Sequence, residues 1–285
     1  MNTAQLTPSA APTLTTQQLK QFEDNGYLAI SQITTPQEVA WMIGVYDRLF
    51  EQRAGWDKGD FFDFAGTDNP GDTAVLPQLL EPSRYEPALK AMLFRRNAHA
   101  LAQQLLGPTA ELVYEHAMLK HAKTGGATPW HQDEAFFPQF TNYRSVTFWM
   151  PLQAVDPLNG CLEFIPGSHK RGLLPHHRLN GDPRIHGLEA EGPDDHLSVH
   201  CPLAAGDASV HHQRMLHHAG PNLSDGPRRA YALGFGVRSR HLTLREEFPW
   251  NVQQDTARLK RAEQAQGTIG RYMRRLKKTA KGIVL

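Results

Sequence analysis

Apolar positions recur at two different periods along the chain, and the change of period divides it. Val39, Met42, Ile43, Tyr46, Leu49 and Phe50 fall three or four residues apart, the spacing of one buried helix face. Thr35 before Pro36, with Glu38 three residues on, marks the start of that helix. Thr15 and Gln18 have the spacing of a capping box for a shorter helix that Gly26 stops, and residues 27–30 then read as a strand. Residues 86–106 read as a further helix ending at Gly107-Pro108. From Glu111 the texture becomes short apolar runs between turn signals. Val146, Phe148 and Met150 alternate with Ser145, Thr147 and Trp149, a period of two. Asn159-Gly160 and Pro166-Gly167-Ser168 mark turns on either side of an apolar run, and strand character returns near 207–212 and 228–237. Helices first and short antiparallel-type strands afterwards predict a mainly β (α+β) architecture, a sandwich or barrel with N-terminal helices packed on it.

Two stretches break the pattern. Residues 55–72 are rich in Gly and Asp yet carry Trp56, Phe61, Phe62 and Phe64; they read equally as a loop folded over an apolar site or as aromatics plugging the main core. Residues 171–203 carry four Gly and four Pro with almost no periodicity, which reads as a long surface excursion or lid.

Length and composition narrow the setting. A chain of 285 residues buries a sizeable core without staples. A mean hydropathy of −0.49 and the lack of a long apolar run exclude a membrane span. No secretory signal is readable at the start, and Cys161 and Cys201 fit reduced thiols, so a cytoplasmic protein is expected. The net charge of +1 conceals a division: residues 1–254 hold 21 Lys/Arg against 27 Asp/Glu, while 255–285 hold nine against two. Residues 1–254 are therefore expected as one domain that does not attract nucleic acid, and 255–285 as a basic helix or tail, with a homo-oligomer left open.

His131-Gln132-Asp133 is a candidate pair of metal ligands, although 15 His in the chain make one such pair expected by chance. Two His and one carboxylate on one face of an iron ion leave the opposite face open to oxygen. A third ligand can come from His211, His212, His217 or His218. Adjacent strand residues point to opposite faces, so His217 and His218 are not expected on the same metal. His211 and His212 read as structural or surface residues, and His218 as a neighbour of the site or a substrate contact. Arg228 shares strand parity with Ala230, Ala232 and Gly234, all small, whereas Arg229 shares it with Tyr231, Leu233 and Phe235. A guanidinium on a small-residue face has room for a ligand, and its fork matches a carboxylate.

WHQDEAFFP (130–138), NGCLEFIPGSHK (159–170) and GDASVHHQRMLHHAGPNLSDGPRRA (206–230) resemble the phytanoyl-CoA dioxygenase family of Fe(II)/2-oxoglutarate oxygenases. The segment FEDNGYLAI looks like the family's opening, so the resemblance spans roughly residues 15–240. It implies a double-stranded β-helix, a cupin-like jelly roll, with Fe(II), 2-oxoglutarate as cosubstrate and O2. By position, His131, Asp133 and His217 match the iron ligands, and Arg228 matches the arginine for the distal carboxylate of 2-oxoglutarate. Trp149 and Met118 match cosubstrate-pocket residues, and Gln132, between two ligands, is a further candidate contact. The chain departs from the family where Ala219 stands in place of a common Ser, and an upstream lysine used by some members has no clear counterpart.

The resemblance implies hydroxylation of a small organic molecule with release of succinate and CO2. Asp133 disfavours halogenation, because related halogenases have a small residue there. Residues 55–85 and 171–203, with Phe136 and Phe137, are the expected sources of specificity. The competing expectation is a non-catalytic jelly-roll binding protein that keeps a metal for structure, against which Arg228 argues.

Overall fold

A computed structural model describes residues 11–69, 71–123, 126–137, 143–238, 248–252 and 254–265. Helices α1 (Thr16–Asn25) and α2 (Pro36–Glu51) start where their caps place them. Thr15 and Gln18 exchange both capping-box bonds, and the Thr35 hydroxyl accepts from the Glu38 N–H. On α2, Val39, Met42, Tyr46, Leu49 and Phe50 are buried as the period requires, with Val45 added and Ile43 at the margin.

Residues 86–106 are not one helix. Pro87–Ala91 form a tight 3-10 turn, Met92 leaves helical geometry (φ −56°, ψ 142°), and α3 (Leu93–Leu106) begins anew. Its cap comes from outside: the Glu38 carboxylate accepts from the backbone N–H groups of Leu93 and Phe94 at 2.6 and 2.9 Å. A cap supplied by another helix leaves no local signal in the sequence.

The strands are β1 (Tyr27–Ile30), β2 (Phe61–Asp63), β3 (Pro77–Leu80), β4 (Glu111–Lys120), β5 (Thr128–His131), β6 (Tyr143–Pro151) and β7 (Leu162–Phe164). They continue with β8 (His176–Arg178), β9 (Leu188–Ala190), β10 (Val199–Cys201), β11 (Ala208–His212), β12 (His217–Ala219) and β13 (Arg228–Arg238). A seven-stranded sheet runs β1-β11-β6-β13-β4-β3-β2, and a four-stranded sheet runs β10-β7-β12-β5. Every pairing is antiparallel, and the two sheets form the jelly roll.

Strand β13 carries the division of faces. Tyr231, Leu233 and Phe235 join α2 and α3 in the larger core, where each fully buried side chain contributes about 1.5–3 kcal/mol. Ala230 and Ala232 turn to the inside of the roll, beside Trp149, Leu162 and Phe164. Small residues there keep the interior open.

The two irregular stretches acquire definite places. Trp56 and Phe61 pack on the main core, whereas Phe62 and Phe64 cluster with Leu76, Leu80 and Phe136, so both expectations for the 55–72 aromatics are realised by different residues. The 171–203 excursion holds the β8–β9 pair, and β10 completes the smaller sheet. Strands of three residues are too short to show a period, and the excursion is stitched into the fold instead of lying over it as a lid.

Two further helices, α4 (Pro249–Val252) and α5 (Ala257–Ala265), follow. The 255–285 segment, expected as a basic helix or tail, therefore begins as a docked helix. Arg261 donates to the Trp56 and Phe61 carbonyls at 2.9 and 3.1 Å, pairs with Asp68, and lies 3.6 Å over the Trp56 ring. Residues 266–285 lie outside the described residues. No described helix is long and apolar enough to cross a membrane.

Candidate active site

Strands β5 and β12 pair with His131 opposite His217, which sets the two rings 4.1 Å apart between centroids. Each ring bonds through Nδ1 to a carbonyl of its own strand: His131 to Pro129 at 2.8 Å, His217 to Met215 at 2.9 Å. A carbonyl partner places the proton on Nδ1 and leaves a lone pair on Nε2, the tautomer that binds a metal. Both Nε2 atoms face Asp133 Oδ1, at 3.8 and 3.7 Å. The three ligand atoms lie within 4.8 Å of one another, a spacing that suits one ion.

The second oxygen of Asp133 is held from behind. Oδ2 accepts from the Thr147 hydroxyl at 2.6 Å and the Tyr114 hydroxyl at 3.2 Å, and His211 Nε2 lies 3.4 Å away. These partners leave Oδ1 directed at the histidines. Gly234 makes the arrangement fit, because a Cβ there would lie 2.0 Å from the Tyr114 ring. Burial by itself would raise the Asp133 carboxyl, but His211, His217 and His131 outweigh it and hold the group well below the usual carboxylate range. Burial pushes both His131 and His217 below the ordinary histidine value. One carboxylate and two neutral imidazoles are a donor set for a divalent transition metal.

Arg228 faces the same cavity from β13. It is 3 % exposed, its Nε and Nη1 have no hydrogen-bond partner among the described residues, and it lies 5.5 Å over the Trp149 ring. Burial lowers its pKa to about 10, so it remains a cation at neutral pH. An unpaired buried guanidinium is costly and calls for an anion. Lys120, its partner across the β13–β4 ladder, makes the contrast: its ammonium donates to the Ala219 carbonyl at 2.8 Å and to that of Gly220 at 2.5 Å.

The cavity, about 250 Å3, collects most of the expected residues: His131, Asp133, His217, Arg228, Trp149 and Met118 all line it, and so does Ala219. Gln132 is a correction. Its side chain turns away, with the amide nitrogen donating to the Gly172 and Arg214 carbonyls at 2.8 and 2.7 Å and the oxygen accepting from Leu174 N–H at 2.8 Å. Both donors are used, so it ties the 171–203 excursion to the segment that carries His131 and Asp133 and has no donor left for a cosubstrate. Of the two alternatives for His211, structural or surface, the surface one fails, since the ring is buried and lines the cavity beside Asp133. His218 lines the mouth, bonded to Glu163 and 4.2 Å from the Trp130 ring. Tyr114 and Thr147 were not legible as site residues. Their one signal is parity: Thr147 shares a strand face with Trp149, and Tyr114 shares one with Met118.

Comparison with known proteins agrees with this geometry. The pattern of the phytanoyl-CoA dioxygenase (PhyH) family matches residues 22–230. Phytanoyl-CoA dioxygenase 1 of Oryza sativa subsp. japonica is 30 % identical over 278 residues, covering 85 % of this chain and 94 % of that protein. The crystal structure of EvdO2 from Micromonospora carbonacea var. aurantiaca superposes with a TM-score of 0.73 at 37 % identity, covering 86 % of this chain and 98 % of that one. The same protein complexed with 2-oxoglutarate gives a TM-score of 0.69 at 34 % identity, with the same coverage. The chain belongs to the phytanoyl-CoA dioxygenase family of Fe(II)/2-oxoglutarate-dependent oxygenases.

Proposed function

We propose that His131, Asp133 and His217 hold Fe(II), that Arg228 anchors the distal carboxylate of 2-oxoglutarate, and that the chain hydroxylates a small, largely apolar organic molecule. The observation that carries this reading is the buried guanidinium of Arg228, unpaired and facing the same cavity as the three ligands. A metal kept for structure has no need of it, which argues against a non-catalytic binding protein.

Iron with 2-oxoglutarate supplies oxidative chemistry: O2, the keto acid and a substrate C–H bond give the alcohol, succinate and CO2. The protein's own share is positioning and exclusion of water. His131 and His217 present unprotonated Nε2 atoms, and Asp133 presents one oxygen while Thr147 and Tyr114 hold the other. Met118 and Trp149 line the same cavity, Trp149 beneath the Arg228 guanidinium, and Ala219 takes the place of a serine that would add a hydrogen bond. With a carboxylate at 133 no ligand position is left vacant for a halide, so hydroxylation is the outcome assigned. Cys161 and Cys201, both buried and unpaired, fit the reducing cytoplasm.

Succinate formation from 2-oxoglutarate tests the reading without knowledge of the substrate. Slow, Fe(II)- and O2-dependent turnover by the wild type, lost in Arg228→Ala at subsaturating 2-oxoglutarate, is expected. Turnover indifferent to Arg228 would remove the assignment.

A further inference from the structure

The cavity wall beside β3 holds two polar groups that no described residue satisfies. Gln78 is 4 % exposed, and its side-chain oxygen has no hydrogen-bond partner. The Nε2 of His116, also shielded from solvent, has none either. Both residues line the cavity. In the β3–β4 ladder Gln78 pairs with Met118 and Leu80 with His116, so the two side chains stand on one face as diagonal neighbours, about 7–8 Å apart at the backbone. One ligand group can reach both.

Of the other polar lining residues, His211 has no hydrogen-bond partner among the described residues but turns its Nε2 to Asp133 at 3.4 Å, on the metal side of the cavity. Tyr114 and Thr147 bond Asp133, and His218 bonds Glu163. The charged lining residues, Asp133 and Arg228, are assigned to iron and cosubstrate. Around Gln78 and His116 the wall is apolar and ring-shaped. Phe64 lies 6.0 Å from Phe136, and His186 lies 5.8 Å from Phe136 and stacks on it. Burial, with Arg258 adding to it, holds the His116 ring down at about 4, so it meets a ligand as a neutral imidazole. Buried polar atoms are almost always paired, and unpaired ones inside a binding cavity mark where a ligand supplies the partner.

We propose that Gln78 and His116 recognise a neutral hydrogen-bonding group of the substrate, a hydroxyl or carbonyl, on a ring-shaped apolar body that lies against Phe64, Phe136 and His186. This rests on the oxygenase reading of the same cavity. It assigns the pair to substrate and not to cosubstrate, whose carboxylate takes the cation at Arg228. A carboxylate or phosphate at that wall would meet two neutral partners, Arg228 being taken by the cosubstrate, and a plain hydrocarbon leaves both groups unpaired.

The test compares wild type with Gln78→Leu in three measurements, each anaerobic where Fe(II) is present. Melting without ligand comes first. Replacing an unsatisfied buried amide by an apolar side chain raises the melting temperature by about 2–4 °C, whereas a structural role for Gln78 predicts a fall. Next, titration of the Fe(II) protein with 2-oxoglutarate leaves the midpoint of the visible charge-transfer band unchanged in the variant; a weakening of tenfold or more would give the amide to the cosubstrate and overturn the proposal. Last, benzyl alcohol and benzoate serve as probes on the Fe(II)·2-oxoglutarate complex. Benzyl alcohol perturbs the wild-type band, benzoate does so at least tenfold less well, and Gln78→Leu weakens the alcohol's effect about tenfold. Equal response to both probes, or an alcohol effect untouched by the substitution, overturns it. A wild type that forms no band at all overturns instead the iron–cosubstrate reading beneath it.

Discussion

The cavity has two walls of different construction. One is built on long paired strands: β4, β6 and β13 carry Met118, Trp149 and Arg228, and β12 pairs with β5 to set His217 against His131. The other is built on short elements and turns: Phe64 follows β2, Phe136 ends the 3-10 turn that Asp133 opens, and His186 comes from the 171–203 excursion. On the strand wall a ladder of backbone hydrogen bonds fixes each side chain, and Thr147 on β6 and Tyr114 on β4 reach from it to hold Asp133 in the turn after β5. On the loop wall, ring contacts of about 5–6 Å do the positioning. On the proposed reading, reaction class resides in the strand wall, and substrate choice is shared between the rings of the loop wall and the Gln78–His116 pair on β3 and β4.

The sharpest way to break this division is Asp133→Ala. Partners that merely orient a metal ligand are worth about 10–100-fold in affinity, so losing the ligand itself should weaken Fe(II) binding by more than about 100-fold, as measured by metal retention under anaerobic dialysis. Arg228→Ala should leave iron binding intact and cost 2-oxoglutarate about 2–5 kcal/mol. Because its guanidinium is unpaired in the free protein, the variant should melt no lower than wild type. Lys120→Met should melt lower, since its ammonium bonds two carbonyls.

Acidity probes the fold around the cavity. Burial holds His116, His176 and His212 at about 4, against 6.5 in the unfolded chain. Above 6.5 they are neutral in both states and add no pH dependence. Below it the unfolded chain binds more protons, so stability falls as pH drops toward 4. Between pH 7 and 5 each should cost about 1–2 kcal/mol, visible as a falling melting temperature and reduced by replacing His212 with Gln. On the loop wall, Phe64→Ala and Phe136→Ala should leave the Fe(II)·2-oxoglutarate band unaltered while lowering substrate-stimulated turnover roughly tenfold, the scale of about 1–3 kcal/mol lost when a pocket contact is removed. Arg261→Ala, one step further out, should produce a smaller effect of the same kind, because it steadies Trp56 and Phe61 beside the loop that carries Phe64. A change in iron affinity from any of the last three would break the division.

What the sequence revealed follows the same line. Parity along β13 separated Arg228, Ala230, Ala232 and Gly234 from their bulky neighbours, because strand periodicity is a local property. The caps at Thr15 and Thr35 were legible for the same reason. The break at Met92 was not, since Glu38 causes it from 55 positions away. Tyr114 and His211 became site residues only through pairing with distant strands, and the reading of Gln132 failed because its partners Gly172, Leu174 and Arg214 lie 40 to 82 residues off. The family resemblance pointed to His131, Asp133 and His217, which the structure brings within 4.8 Å of one another, while the residues that support them needed the fold.

The most direct test of the central claim is an anaerobic titration with Fe(II) and 2-oxoglutarate, following the visible metal-to-ligand charge-transfer band in wild type, Asp133→Ala and Arg228→Ala. The account predicts a band in wild type, none in Asp133→Ala, and in Arg228→Ala a band that needs at least about 30-fold more 2-oxoglutarate. A folded wild type that binds Fe(II) yet forms no band, or a band indifferent to both substitutions, would contradict it.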